Sequence, residues 1–433
     1  MMKVKLNINR IPVYIIITQL VYVCIVRLLI DNGGTGSLTL VCDAFNIVLA
    51  LFLIHRIGKT KRAIAKCRLI VVLYALMLVL GTFSAIVEGY NAVLWFWSVR
   101  NFGRFLIFFM ACCAFFETAD YAMVKKIILK LSLINWILAM IQHFVLGCSG
   151  DYIGGLFGTT GGVANTWMNS FLVVLLCIQL SDFFTGKGNI ANTVLTIINE
   201  ISIAVVAELK FLFIEIAISI IVCMIATKKT KKVIEKIALI ALAFFVIVAL
   251  SIPILYKLFP MFDDFFSLEM IFKSATESYT GQGDLGRATA IPTIISQIFN
   301  GDIFKTLFGI GLGNAEYSGE QKIFQSVFYL KYTYTNYFWF SDAVVMVQNG
   351  IIGVICYLGV FIYLIKTSWH GVKVNDCYAE IRLTCILLAI ISSLLFIYNI
   401  SLNTESAYII YAFLAFGIVA NKRKIRVVKP YDT

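Results

Sequence analysis

The chain has 433 residues, of which 60% are hydrophobic and 14% charged, with a mean hydropathy of +0.90 and a formal net charge of +12. This composition excludes a soluble globular protein, because charged side chains make up about a quarter of such proteins. The positive charge does not indicate nucleic-acid binding, since the basic residues are spread over several short connectors rather than gathered in one patch.

Apolar runs of about 20 residues, the length that a helix needs to cross a bilayer, recur along the whole chain. Because only helices and closed barrels satisfy their backbone in lipid, we predict an all-α polytopic membrane protein. About twelve transmembrane helices are expected, near 11–30, 38–55, 69–87, 93–116, 127–147, 164–184, 191–207, 211–227, 237–258, 338–365, 382–400 and 407–420. The first run is longer than a signal-peptide core and no cleavage site follows it, so we interpret it as a retained span.

Basic residues mark every second connector between these runs. By the positive-inside rule those connectors face the cytoplasm, which places both termini there as well. The alternate connectors then face outward. The predicted organisation is spans 1–9 over residues 1–258, one large outer loop at 259–337 between spans 9 and 10, spans 10–12 over 338–420, and a basic cytoplasmic tail at 421–433.

Ionisable residues inside predicted spans are the first candidate functional groups, because such residues are costly in lipid and usually face a cavity or a partner. Arg100 and Arg104 are four residues apart, so they share one face of the fourth span. They are either part of an anion site or cations that reach the lipid headgroups beside an aromatic belt. Lys210, beside Glu208 at an outer turn, is either a ligand-binding cation or half of an interfacial charge pair.

The outer loop carries Arg287 and a glycine-rich run that includes Gly309, Gly311 and Gly313. Several cations around one cavity would suit a phosphate or diphosphate, which arginine binds in a bidentate manner. Glycine-rich backbone can add amide donors, although a tight turn explains the same residues. The run is not a dinucleotide-binding motif, because no strand–helix unit surrounds it. No zinc-ligand or other metal motif occurs either, so we expect no cofactor and no metal.

Four short segments together resemble a known family. They are the outer segment Leu156–Thr159 followed by Ala164 and Asn165, the turn Glu208–Phe211, the pair Gly286–Arg287 ahead of Phe308–Gly313, and the segment from Asp342 through Gln348–Gly353. In these segments and in its architecture the chain resembles the O-antigen and capsular repeat-unit polymerases (Wzy-type) of the O-antigen ligase/polymerase superfamily.

The resemblance implies a GT-C-like helical bundle and a glycosyltransferase activity on the outer face of a bacterial cytoplasmic membrane. Undecaprenyl-diphosphate-linked oligosaccharides would be both donor and acceptor in O-antigen or capsule biosynthesis. A flippase and a chain-length regulator protein are the protein partners that it implies.

Residue roles follow from the resemblance together with the charges. Arg287 is the first choice for the donor diphosphate, with Lys210, Arg100 and Arg104 behind it, since cations there would stabilise the leaving group. Asp284, Glu316 and Asp342 are unranked candidates for the general base that deprotonates the acceptor hydroxyl. Ligase-type relatives carry a histidine in the large outer loop. This loop has none, which favours a polymerase.

Three other functions are compatible with the sequence. An O-antigen or teichuronic-type ligase would share the fold and differ in its acceptor. A polysaccharide flippase or other transporter would fit twelve spans, but transporters commonly show internal repeats, and no convincing repeat relates the two halves. A non-catalytic membrane scaffold is the third alternative.

Overall fold

A computed structural model describes residues 8–227, 283–318 and 321–421 of the chain, together with the single positions 235, 246, 249 and 277. These residues form helices, turns and irregular segments and no strand. The longer helices are α1 (Ile11–Asp31), α2 (Val41–His55), α3 (Ile57–Lys66), α4 (Arg68–Glu88), α5 (Ala92–Phe115), α6 (Asp120–Phe144), α7 (Asn169–Phe184), α8 (Ile190–Val206), α9 (Lys210–Ala226), α10 (Ser341–Lys373), α11 (Ala379–Tyr398) and α12 (Ala407–Ala420).

Each predicted span falls on one of these helices except 237–258, which apart from positions 246 and 249 lies outside the described residues. Seven of the described helices are long and apolar enough to cross a membrane, whereas α8 and α12 are shorter apolar helices. The described part of the chain is therefore all-helical and contains the helices of a polytopic membrane protein. The count of twelve spans stays a prediction, as does the division into domains, because much of 228–282 and the tail 422–433 lie outside the described residues.

Connectors predicted to share a face contact one another. At the predicted outer end, Asp31 accepts hydrogen bonds from the amide of Thr159 and from Thr160 Oγ1, the latter at 2.6 Å. At the opposite end, Lys187 pairs with Glu380 at 2.7 Å. This grouping agrees with the alternation of the connectors, while the sidedness of the membrane stays a prediction.

Helix α10 is broken near its start, and the glycine-rich run of the outer loop fills the break. Gly350 has φ 63° and ψ −168°, which is not helical and leaves carbonyls of the preceding turn without their usual donors. Amides of the loop replace them: Ile310 donates to the carbonyl of Val347 at 2.8 Å, and Gly311 donates to that of Gln348 at 3.1 Å. The backbone of the break is thus satisfied inside the protein, as a membrane interior requires.

The three glycines of this run lie where the loop presses against helices. A Cβ on Gly311 would stand 2.0 Å from the backbone nitrogen of Ala85 in α4. On Gly313 it would stand 2.6 Å from the backbone nitrogen of Trp95 in α5, and on Gly309 2.5 Å from the carbonyl carbon of Gln348 in α10. All three also have positive φ, which favours glycine. Close packing therefore accounts for these glycines.

Candidate functional site

A polar cavity of about 320 Å³ lies within the helix bundle. We call it the central cavity. Its polar lining includes Asn101 and Arg104 from α5, Glu316 from the loop, Gln348 from α10 and Glu405 from the segment before α12. Aromatic side chains complete the wall, among them Trp97, Phe105, Tyr317 and Tyr357. The cavity therefore brings charged groups, amides and aromatic rings together in one space.

The central cavity reaches well below the end of the bundle that carries the outer loop. Arg104 lies twelve residues after Ala92, the start of α5, which corresponds to about 18 Å at 1.5 Å per residue. Helix α12 has only 14 residues and spans about 21 Å, less than the hydrocarbon thickness of about 30 Å. The segment 399–406 before it therefore enters the bundle. Irregular backbone at such depth is tolerated where it lines a cavity, as it does here.

Arg104 and Glu405 form a buried ion pair on the wall of this cavity. Arg104 Nη1 donates to Glu405 Oε1 at 2.5 Å, and Nη2 donates to the carbonyl of Asn403 at 2.7 Å. The two side chains are only 6% and 12% exposed. Burial by itself would raise the pKa of Glu405, but the charge of Arg104 and its hydrogen bond bring the pKa below the usual value. Glu405 is therefore held ionised against the arginine.

Arg100, one turn before Arg104, also has a carboxylate partner. Its Nε donates to Asp43 Oδ2 at 3.1 Å and its Nη2 bonds the same oxygen. The guanidinium carbon lies 4.4 Å from the ring centre of Trp97. Both arginines of α5 are thus neutralised by acids from other helices or connectors. These pairs do not favour the diphosphate role expected for Arg100 and Arg104, which stays a prediction.

Glu316 is the one predicted base candidate that lines the central cavity. Asn101 Nδ2 donates to its Oε2 at 2.9 Å, and Gln348 Nε2 donates to its Oε1 at 3.1 Å. Its side chain is buried, and burial raises the pKa of Glu316, while hydrogen bonds from Ser98, Gln348 and Asn101 oppose the shift. A carboxyl group with a raised pKa that is fixed by two amides is suited to accept a proton.

The other two candidates for the base lie elsewhere. Asp284 is buried beside Leu285, whose amide donates to the carbonyl of Thr335 at 2.9 Å. Asp342 is buried in the first turn of α10, where its Oδ1 accepts the amide of Ala343 at 2.8 Å. Neither is among the residues that line the central cavity. Their catalytic role stays a prediction, and the geometry places Glu316 ahead of them.

Arg287 and the chain neighbour of Lys210 lie against one aromatic ring near the predicted outer end. The guanidinium carbon of Arg287 lies 4.5 Å from the ring centre of Tyr398, the last residue of α11. Phe211 stacks on the same ring with the centroids 3.9 Å apart, and its neighbour Lys210 is the exposed first residue of α9. The structure therefore brings together two of the four cations that the sequence singled out.

Two carboxylates complete this group, which we call the outer cluster: Asp151, Glu208, Lys210, Arg287 and Tyr398. Burial raises the pKa of Asp151, and the charge of Arg287 partly lowers it. Burial likewise raises the pKa of Glu208. The charge of Lys210 opposes this shift, and the charge of Asp151 increases it. Each acid thus lies within electrostatic range of a cation and of the other acid.

The segment 399–406 connects the outer cluster to the central cavity. Asn399 follows the ring of Tyr398 directly and donates from Nδ2 to the carbonyl of Asn165, whose own amide group bonds Asp151. Six residues further on, Glu405 reaches Arg104 in the cavity wall. The two sites therefore share one short stretch of backbone.

Sequence reasoning missed several of these residues. Tyr398 and Asn101 carry no signal of their own, because an aromatic or an amide at a helix position is ordinary. Gln348 belongs to a segment that carries the family resemblance, but the sequence assigned it no role. Glu405 did carry one: it is the only charged residue between Tyr398 and Asn421, in a connector between two apolar runs. A lone charge in such a place usually has a partner inside the protein.

The described part of the chain holds no group of three or more His, Cys, Asp or Glu side chains placed to bind a metal ion. The amides of Gly309 and Gly311 already donate within the protein, to the carbonyls of Lys305 and Gln348. Their predicted contribution to a diphosphate site stays a prediction. Comparison of the sequence with protein-family models and with curated proteins finds no match.

Proposed function

We propose that this protein is a membrane glycosyltransferase that polymerises lipid-diphosphate-linked oligosaccharide repeat units on the outer face of a bacterial cytoplasmic membrane. The observation that carries the proposal is the outer cluster. There Arg287 lies against Tyr398, Phe211 beside Lys210 stacks on the same ring, and a short segment leads from that ring to the polar cavity lined by Glu316. A transferase of this kind needs a cationic site for its leaving group and an enclosed site for its acceptor.

The outer cluster would hold the donor diphosphate. Arginine can bind phosphate oxygens in a bidentate manner, and a lysine adds a mobile point charge. Lys210 is exposed at the first residue of α9, so a diphosphate carried on a lipid could reach it from the membrane. Positive charge at this position stabilises the negative charge that develops on the leaving diphosphate.

The central cavity would hold the acceptor sugar. Aromatic walls with a few fixed polar groups are typical of sites that orient a small polar ligand. Glu316 would accept the proton of the acceptor hydroxyl as its oxygen forms a bond to the anomeric carbon of the donor. The bond from that carbon to the diphosphate breaks, and the diphosphate leaves with the electron pair. Asn101 and Gln348 would position Glu316.

Complementation of a bacterial strain that lacks its polymerase tests this proposal, with polymer length read on a gel. We expect Arg287→Ala to abolish long polymer while lipid-linked single repeat units persist, and Arg287→Lys to restore a part of it. Lys322→Ala removes an exposed cation from the same loop and serves as the matched control. It should leave the ladder of polymer lengths unchanged.

Other outcomes identify the alternatives. Single units that accumulate on the inner face in the Arg287→Ala strain would indicate a flippase. Polymer that forms normally but is not transferred to its final acceptor would indicate a ligase of the same fold. Placement of residues 259–337 in the cytoplasm by cysteine labelling would contradict the whole scheme.

A further inference from the structure

Helices α8 and α9 bury two carboxylates at one depth, away from both sites described above. Glu200 lies six residues before the end of α8, and Glu215 lies five residues after the start of α9. The helices are antiparallel neighbours joined by a tight turn, so both residues lie about 8 to 9 Å below that turn. Both side chains are fully buried, at 0% exposure, in helices predicted to cross the membrane.

Neither carboxylate has a cation among the described residues. Asn169 Nδ2 donates to Glu215 Oε1 at 3.2 Å. In the described part of the chain, the other oxygen of Glu215 and both oxygens of Glu200 have no hydrogen-bond partner. The negative charge of Glu215 acts on Glu200, so the two groups are close enough to repel each other when ionised.

A buried neutral oxygen beside the pair is a separate sign of a ligand. Asn169 Oδ1 belongs to the amide that bonds Glu215. The Asn169 side chain is only 1% exposed, and this oxygen has no partner within the described ranges. Ser219, one turn after Glu215 on α9, hydrogen-bonds the thiol of Cys177. Buried polar atoms normally have hydrogen-bond partners, so several buried oxygens without one in the same region call for an explanation.

The charged groups of the neighbouring helices either have other partners or are exposed. The thiol of Cys177 on α7 lies within electrostatic range of both carboxylates and of the thiol of Cys223 on α9. Lys125 of α6 pairs with Asp182 of α7, Arg382 of α11 pairs with Asp376, and Lys187, in the connector after α7, pairs with Glu380. Lys126 and Lys130 of α6 are exposed. Lys373 of α10 donates to the carbonyl of Ile225. No described neighbour therefore supplies the missing positive charge.

We propose that Glu200 and Glu215 form an intramembrane site that binds one monovalent cation, H⁺ or Na⁺, in exchange with water. Two adjacent carboxylates without a cation cannot both be ionised in an apolar interior. A proton on one of them, or a sodium ion among the carboxylate oxygens and the amide oxygen of Asn169, removes the repulsion. The short distance to the turn at 207–209 places the site near the predicted outer surface, which allows exchange.

The test uses dicyclohexylcarbodiimide on the purified full-length protein in liposomes, with the modified residue identified by peptide mass spectrometry. This apolar reagent takes the proton of a carboxylic acid onto its nitrogen while the carboxylate adds to its carbon, and a stable N-acylurea results. It therefore reports the protonated form of a buried carboxyl group. Labelling rates are measured from about pH 5 to about pH 9, with choline or with Na⁺ as the salt cation.

We expect labelling at Glu200 or Glu215, with a rate that falls about tenfold per pH unit above its midpoint. Slower labelling in Na⁺ than in choline at fixed pH identifies sodium as the ligand, and equal rates identify the proton. Glu200→Gln and Glu215→Gln should each alter the pH profile, while the exposed Glu117 should not compete for the reagent.

Two results would overturn the proposal: no labelling at either residue at any pH, or a rate that does not change with pH. Both are read on the wild-type protein, so a variant that fails to fold leaves the test intact. The readout involves no polymer synthesis and is therefore independent of the proposed transferase function.

Discussion

Arg104 and Glu405 are 301 positions apart in the chain and hold two parts of the bundle together through one buried ion pair. Arg104 belongs to the middle of α5, whereas Glu405 belongs to the irregular segment that enters the bundle before α12. The pair closes one side of the central cavity. It therefore links the stability of the fold to the shape of the site.

Neutralising either partner should destabilise the protein strongly. Arg104→Gln or Glu405→Gln leaves one buried charge without compensation, which costs about 3–5 kcal/mol. The double variant should lose less than the sum of the two single losses, because the unpaired charge is then absent. Thermal unfolding in detergent of all four proteins measures this coupling.

The pair of Arg100 with Asp43 provides the matched comparison. Its side chains are 24% and 19% exposed, so breaking it should cost about 1 kcal/mol. Equal losses at the two pairs would contradict the view that Arg104 and Glu405 are the buried structural pair.

Replacement of Glu316 by Gln should stabilise the protein while it abolishes polymer synthesis. Because burial raises the pKa of Glu316, its ionised form is disfavoured in the folded state, and the stability of the wild type falls as pH rises from the unfolded pKa to the folded one. Glutamine mimics the protonated form of Glu316, so the variant does not lose stability in this way as the pH rises. The midpoint of thermal unfolding should therefore rise at about pH 8 and change little near pH 4.

Glu117→Gln is the control, since that side chain is 71% exposed. Between the two pH values, its midpoint of thermal unfolding should change by the same amount as that of the wild type. A Glu316→Gln protein that is less stable than the wild type at high pH would show that the carboxylate is held ionised for structural reasons.

Much of the helical framework could be predicted from the sequence because hydrophobicity is a local property. The apolar runs gave spans that match α1, α4 and α5 to within about two residues, which is the usual uncertainty of a helix end. Length and apolarity need no knowledge of the neighbours. Charge alone also predicts which connectors share an end, and the contacts of Asp31 with Thr159 and of Lys187 with Glu380 agree with that prediction.

The partners of the intramembrane charges could not be predicted in this way. Arg100 and Arg104 stand out in a span, but Asp43 and Glu405 lie in other connectors and helices, and nothing local relates them. The helix break at Gly350 could not be predicted for the same reason. The amides that replace the helical hydrogen-bond donors there come from a loop that is distant in sequence. The choice between anion site and structural pair therefore required the tertiary contacts.

The glycine-rich run offers a direct test of its packing role. Gly311→Ala should greatly reduce folding, because its Cβ would meet the backbone of Ala85 at 2.0 Å, and a backbone atom of α4 cannot give way cheaply. Gly301→Ala, in the same loop, has a similar positive φ of 75° but open space around its Cβ. It should cost only about 1–2 kcal/mol of backbone strain.

Expression level and thermal unfolding of the two variants in detergent measure the difference. If Gly311→Ala folded as well as Gly301→Ala and lost only activity, the run would be a ligand-binding element and the packing account would be wrong.

Tyr398 should act as a positioning residue for Arg287. Its ring lies against the guanidinium, and such a contact is worth about 0.5–2 kcal/mol, which corresponds to about 2- to 30-fold in a rate. We expect Tyr398→Ala to lower the rate of polymer formation by that factor, while Tyr398→Phe keeps the ring and most of the rate. The rate is measured with purified protein and lipid-linked repeat units. Tyr334→Ala removes an exposed aromatic side chain from the loop and serves as the control.

A comparison of single and double variants separates positioning from general loss of structure. If Tyr398 works through Arg287, then Tyr398→Ala added to a slow Arg287→Lys protein should reduce the rate less than it does in the wild type. Independent, additive losses would show that the ring contributes through the packing of α11 on Phe211 instead. In that case the thermal midpoint would fall together with the rate, which the proposed positioning role does not require.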